Sequence, residues 1–245
     1  MDNEFANIQL KPILNNNFAK WFQELHYNGK ELSDEERKEV IAMIDETIDN
    51  YKEGLPLAHQ LLDVFKDQHD DFHETYRTVA SVMLFVLMTI VDCMVLCKYF
   101  ILADKEYDRR FMRGKLTVLL NEGFKRLYGF DDKTYKKSEW DKLLPLMRLF
   151  PEVINRQYQE MTFLLEKHSK SSSWWKEERN LETHLDAVKL YESRQEEIVE
   201  SKVVMDSMKL ICSLMAVNDY LYNLHTCLYN YLANKYKKGE LLITQ

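Results

Sequence analysis

Glycine and proline are scarce in this chain, six and four among 245 residues. A β architecture built on tight turns needs more of both. Their rarity favours long uninterrupted helices, and the frequent Leu, Met, Lys, Glu and Tyr point the same way. Cysteine is sparse too. Cys93, Cys97, Cys212 and Cys227 lie in apolar helical stretches without the C-x-x-C spacing of a zinc site, which predicts buried, reduced thiols and fits a cytoplasmic protein. Positive charge is in deficit. A formal net charge of −7 and a pI near 5.6 exclude a surface coated for nucleic acid, while leaving room for one local basic cleft.

Familiar signatures are missing as well. No glycine-rich phosphate loop, G-x-S-x-G elbow, H-E-x-x-H pair or dinucleotide fingerprint occurs, so the common nucleotide, hydrolase and protease classes drop out. The opening "MDNEFANIQLKP" is acidic and mixed, unlike a secretory leader, and no N-x-S/T acceptor is present. The long apolar run is residues 78–103, whose core from Val79 to Val91 is interrupted by Asp92. A spanning helix wants about 20 apolar residues and tolerates a mid-span charge badly. This run is expected at the centre of a bundle, not in a membrane, because a helix apolar on all sides suits a core.

Hydrophobic residues make up 46% of the chain, enough for one sizeable core. The expectation is one all-α domain, an up-and-down bundle of about six helices ending in a long C-terminal helix. Residues 31–238 form the bundle, residues 1–30 are readable as an N-terminal appendage, and 239–245 as a tail. Ser33 and Glu36 have capping-box spacing, and Gly54 with Pro56 reads as the stop of that helix. "KEYDRRFMRGKLTVLLNEGFKRLYG" predicts an amphipathic helix ending at Gly129. Ser138 can cap the next helix, which Pro145 and Pro151 delay or kink, and "HSKSSS" reads as a loop. Leu210, Leu214, Val217, Leu221, Leu224, Leu228 and Tyr231 repeat at 4,3 spacing, the seam of a long bundle helix or of a partner interface.

Three stretches could carry chemistry. "HDDFH" puts His69 and His73 one turn apart, where they could ligate a divalent metal with His59 or another helix supplying a third ligand; a solvated helix entry is the plainer reading. No Glu-x-x-His pair of the di-iron bundles accompanies them. "DRRFMRGK" gathers Arg109, Arg110, Arg113 and Lys115, which could hold phosphates or simply form the polar face of a helix. The third is "SSSWWKEERNLETHLD", residues 171–186, which places Arg179, Asn180 and His184 inside two turns.

That R-N-x-x-x-H pattern resembles the active-site motif of the HEPN superfamily (higher eukaryotes and prokaryotes nucleotide-binding domain), an arginine followed after four to six residues by histidine, often with Asn next to the arginine. The "HLD" of His184, Leu185 and Asp186 is similar to the abortive-infection branch, although toxin-type relatives carry tyrosine where Asp186 stands. The resemblance covers one helix of about 20 residues and its helical context. It implies an endoribonuclease of defence, toxin or stress response that acts as a homodimer on RNA, needs no cofactor, and has an antitoxin or defence partner. His184 would move protons and Arg179 would offset phosphate charge, with Asn180 orienting them and Glu182 or Asp186 supporting the imidazole. At about 100° per residue, Asn180 and His184 share a face while Arg179 points about 140° away from His184, so two protomers would have to meet for the groups to converge. A non-catalytic helical dimer built for interaction and a metal-binding bundle using His69 and His73 are the alternatives.

Overall fold

Seven polar or charged residues in "LSDEERKEV" start the first long helix, and they do so by reciprocal capping. Ser33 Oγ accepts from the Glu36 N–H at 3.2 Å, and Glu36 accepts from the Ser33 N–H at 2.7 Å. The computed structural model describes residues 10–24, 31–64, 66–67, 70–171, 179–180, 182–183, 187–193 and 198–238. Its elements are α1 (Asn17–Glu24), α2 (Asp34–Asp63), α3 (Asp71–Leu102), α4 (Glu106–Leu127), α5 (Asp132–Tyr135), a 3₁₀ helix (Asp141–Leu149), α6 (Glu152–Ser171), α7 (Ala187–Ser193) and α8 (Glu200–Lys237). No strand occurs among the described residues, and the chain is an all-α bundle. The count among the described residues exceeds six because the short helices α1, α5 and α7 add to the long ones.

α3 is the central helix. It packs on α2, α4 and α8, and α6 closes the far side of α8. Val79, Val82, Val86 and Ile90 are fully buried, while Ser81, Met88 and Asp92 face outward. By length and composition alone α3 could cross a membrane; in this fold it is the bundle core. Each large side chain so buried stabilises the fold by roughly 1.5–3 kcal/mol. The 4,3 seam of α8 is consumed in the same core, with Leu210 through Leu228 buried and Tyr231 partly so. The cysteines are unpaired, and burial pushes the Cys97 and Cys212 thiols up to about 12 and that of Cys227 to about 11, which makes them poor nucleophiles.

Three boundaries differ from the expectation. α2 runs through Gly54 and Pro56 to Asp63. Proline removes one N–H, whose partner carbonyl would be that of exposed Lys52, and fully buried Ala58 keeps the following turns on the core. The first four residues of "HSKSSS" are helical, since α6 continues to Ser171, and Ser172 and Ser173 lie outside the described residues. His168 holds that last turn, its ring 6.1 Å from Phe124 of α4 and its Nε2 2.6 Å from Ser213 Oγ of α8. Ser138 Oγ accepts from the Asp141 N–H at 3.1 Å, but Trp140 stands at the N-cap, the segment holding Pro145 winds as 3₁₀ helix and α-helix resumes only after Pro151. Gly129 ends α4 as expected. It sits at φ +88°, and a Cβ there would lie 2.5 Å from the Tyr135 backbone nitrogen.

Residues 10–24 lie across the bundle rather than apart from it. Asn223 of α8 uses both ends of its amide on Lys11, accepting from the backbone N–H at 2.7 Å and donating to the carbonyl at 2.9 Å. Asp219, one turn earlier and wholly buried, accepts from the Leu14 N–H at 3.0 Å and pairs with Lys11 Nζ at 2.6 Å. Phe18 and Ala19 are buried beyond this fastening.

Candidate functional site

The helical fragment carrying Arg179 and Asn180 is tied to α4. Arg179 Nη1 donates to Glu122 at 2.6 Å and its Nη2 donates to the Asn180 side-chain carbonyl at 2.6 Å. The arginine side chain is 15% exposed and Glu122 45%, so the pair sits at the bundle surface. Arg179 Nε is buried and has no hydrogen-bond partner among the described residues. Thr183 Oγ1 donates to the Arg179 carbonyl at 2.8 Å, which holds the turn in helical form. His184 and Asp186 lie outside the described residues, so the structure brings Arg179 and Asn180 together and leaves the histidine of the motif unplaced.

Glu182 faces α4. Its carboxyl occupies the space beside Gly114, where a Cβ would lie 2.4 Å from Oε1, and Lys115 Nζ is 3.9 Å away. The "DRRFMRGK" stretch and the motif therefore meet, through a carboxylate that neutralises one of the basic groups. The other cations of that stretch are similarly engaged. Arg110 pairs with Glu106, Arg109 donates to the Ala103 carbonyl at 3.3 Å and lies 3.9 Å from Glu31, and Arg113 is also engaged. Glu31 and Arg37 continue this network to buried Glu200, 2.5 Å from Arg37. Burial, with a hydrogen bond that the protonated carboxyl donates to Glu31, raises Glu200 above its ordinary range against the pull of Arg37 and Arg109. Arg109 and Arg110 thus face carboxylates and a carbonyl more than open solvent, while Lys115 stays nearly half exposed.

His73 is buried and committed at both ring nitrogens. Nδ1 meets Asp70 and Nε2 lies 2.6 Å from the Tyr236 hydroxyl, an arrangement in which Nδ1–H donates to the carboxylate and Nε2 accepts from the phenol. Asp70 also caps α3, accepting from the Phe72 and His73 N–H groups. Partial burial raises its carboxyl, but these hydrogen bonds together outweigh that and hold it below the usual range. His69 lies outside the described residues, and no group of three or more His, Cys, Asp or Glu side chains suited to a metal occurs among the described ones.

Sequence reasoning passed over the polar groups of α8 that organise the other end. In "AVNDYLYNLH", Asp219 and Asn223 stand one turn apart in an otherwise apolar run, a spacing that marks a polar pair with a specific partner. Beside them lies a cavity of about 650 Å³ between α1, α2, α3 and α8. Its wall includes His225, whose ring burial pushes down to about 4, so that it is neutral in the folded protein.

Fold and site together define a helical bundle with two polar constellations, an arginine site on α4 and a fastened cavity on α8. No family model, curated protein or solved structure matches the chain.

Proposed function

We propose that this protein is a cytoplasmic endoribonuclease of the HEPN type, cleaving RNA without a divalent metal and working as a homodimer in defence, toxin or stress response. The observation that supports it most is the surface arginine of the R-N-x-x-x-H motif, fixed at both Nη groups by Glu122 and Asn180 with its Nε–H unfilled. A guanidinium held in this way is oriented before substrate arrives, and a phosphate would exchange with Glu122. His184 removes the proton of the RNA 2′-hydroxyl, the oxygen attacks the adjacent phosphorus, and the 5′-oxygen leaves with a proton returned by the imidazolium so formed. The products are a 2′,3′-cyclic phosphate and a 5′-hydroxyl. Glu182 is committed to α4, which leaves Asp186 to orient the imidazole. Dimerisation brings Arg179 of one protomer toward the other's His184; because the α8 seam is buried within one chain, the contact must use another face.

The test is cleavage of single-stranded RNA in EDTA with chromatographic detection of the cyclic phosphate. His184→Ala should lower the rate about 10²–10⁴-fold. Arg179→Ala should do the same on a similar scale, with Arg179→Lys restoring only part. Activity that vanishes in EDTA and returns with Mn²⁺ would sink the proposal, and light scattering that gives a monomer at micromolar concentration would count against the shared site. A second reading, a non-catalytic interaction protein, is favoured by the Glu122 pairing of Arg179 and by the exposed Val188 and Tyr191 of α7. It becomes the better account if the folded dimer cuts no RNA.

A further inference from the structure

The cavity beside α8 has the size and lining of a ligand pocket. Pockets for small organic molecules occupy about 300–1,000 Å³ and combine apolar walls with a few convergent polar groups. Here the cavity is about 650 Å³. Met43, Ala58 and Leu87 supply apolar wall, and Asn16, Asn218 and His225 supply the polar side. Three polar atoms of those side chains, Asn16 Nδ2, Asn218 Oδ1 and His225 Nε2, are buried and without a hydrogen-bond partner among the described residues. Native proteins rarely leave such atoms unfilled, because each loses its water and gains nothing in return.

The segment that leads into the cavity wall is held under strain. Leu14 has φ +56°, a left-handed conformation that a leucine seldom adopts, and its N–H is fixed on Asp219. Asn223 clamps Lys11 three residues earlier. Strain of this sort persists only where the surroundings overdetermine it. The fastened segment sets Asn16 at the cavity, where its Oδ1 caps α1 by accepting from the Ala19 N–H at 2.7 Å.

We propose that this cavity binds a small neutral amphiphile, an apolar body carrying a carboxamide-type head group, inserted beneath the strap of residues 10–16. A carboxamide offers an N–H to Asn218 Oδ1 and an oxygen to Asn16 Nδ2, matching the unfilled donor and acceptor. Charge argues for neutrality. Lys11, the cation at the wall, is paired with Asp219, so an anionic head group would meet no uncommitted positive charge there. Glu46 lies on the exposed side and already accepts from Asn17 at 3.4 Å.

Decanamide, decanoate and decylammonium, titrated into the full-length protein by calorimetry, test the proposal. Decanamide should bind saturably at one site, at least about ten-fold more tightly than either charged analogue. Gly54 lines the cavity, and a Cβ there would meet Leu87 at 3.8 Å, ordinary contact distance. Gly54→Ala should therefore bind like the parent, whereas Gly54→Phe should fill the space and abolish binding while circular dichroism stays helical. If Gly54→Phe fails to fold, Asn218→Leu decides: it should weaken decanamide about ten-fold, the value of roughly one hydrogen bond, at an unchanged stoichiometry. Absence of saturable decanamide binding, tighter binding of either charged analogue, or parent-like affinity in Asn218→Leu would overturn it. RNA cleavage is read separately, so either proposal can fail alone.

Discussion

Asp219 and Glu122 each hold a basic side chain brought from a distant part of the chain, and their surroundings set them apart. Asp219 is wholly buried, and its carboxylate takes both Lys11 and a backbone N–H. Glu122 is nearly half exposed and takes only side chains, those of Arg179 and, at 3.7 Å, Lys125. A carboxylate out of water must keep its partners, because losing one leaves an uncompensated charge in a poor solvent. A carboxylate at the surface can release its partner to water or to another anion at little cost. Geometry alike in distance thus serves fastening in one place and exchange in the other.

The contrast can be broken from the buried side first. Asp219→Ala should lower unfolding free energy by about 3 kcal/mol, the low end for breaking a buried pair because Lys11 keeps one face in water; urea titration followed by circular dichroism measures it. Trypsin should then cut sooner after Lys20, since the Lys11–Pro12 bond resists it. Asn223→Ala should follow at about 1–2 kcal/mol, since two backbone groups of Lys11 lose a partner but lie near water.

Acid sharpens the same contrast. Burial depresses His225 to about 4 and also lowers His168, whereas an unfolded histidine titrates near 6.5. As pH falls from about 6.5 toward 4 the unfolded chain takes up protons that the folded one refuses, so stability declines through that window. His225→Gln should flatten the decline, read from urea midpoints at several pH values. The smallest effect on stability belongs to Glu122→Gln, under about 1 kcal/mol. Its larger consequence should be functional: with Arg179 released, RNA affinity at low salt should rise several-fold in a filter-binding assay. An unchanged affinity would mean that Arg179 does not meet phosphate.

Local signals in the sequence carried the fold well where one residue sets one boundary. Ser33 with Glu36 and Gly129 at its positive φ act on their own turn, and the α8 seam needs only its own period. They failed where a tertiary contact overrides a local preference. Pro56, Ser169 and Ser171 look like breakers, yet Ala58 and the Phe124 and Ser213 contacts of His168 keep both helices going. The site was legible only as a motif. That Arg179 meets Glu122, or that Glu182 turns to Gly114, follows from how the fragment lies on α4, and no spacing encodes it. Asp219 and Asn223 did leave a trace, a polar pair in an apolar helix, without saying that residues 11–14 would be their partner.

The position of α8 in the chain has a consequence for biosynthesis. α3 is the most apolar helix of the molecule, and much of its cover comes from a helix that begins only at Glu200. A ribosome adding about 5–20 residues each second leaves α3 without that cover for several seconds. During that interval its surface is the kind that chaperones bind and that membrane-insertion machinery samples. The strap must wait still longer, for Asp219 and Asn223, so the first described residues of the chain to be translated are among the last to find their place.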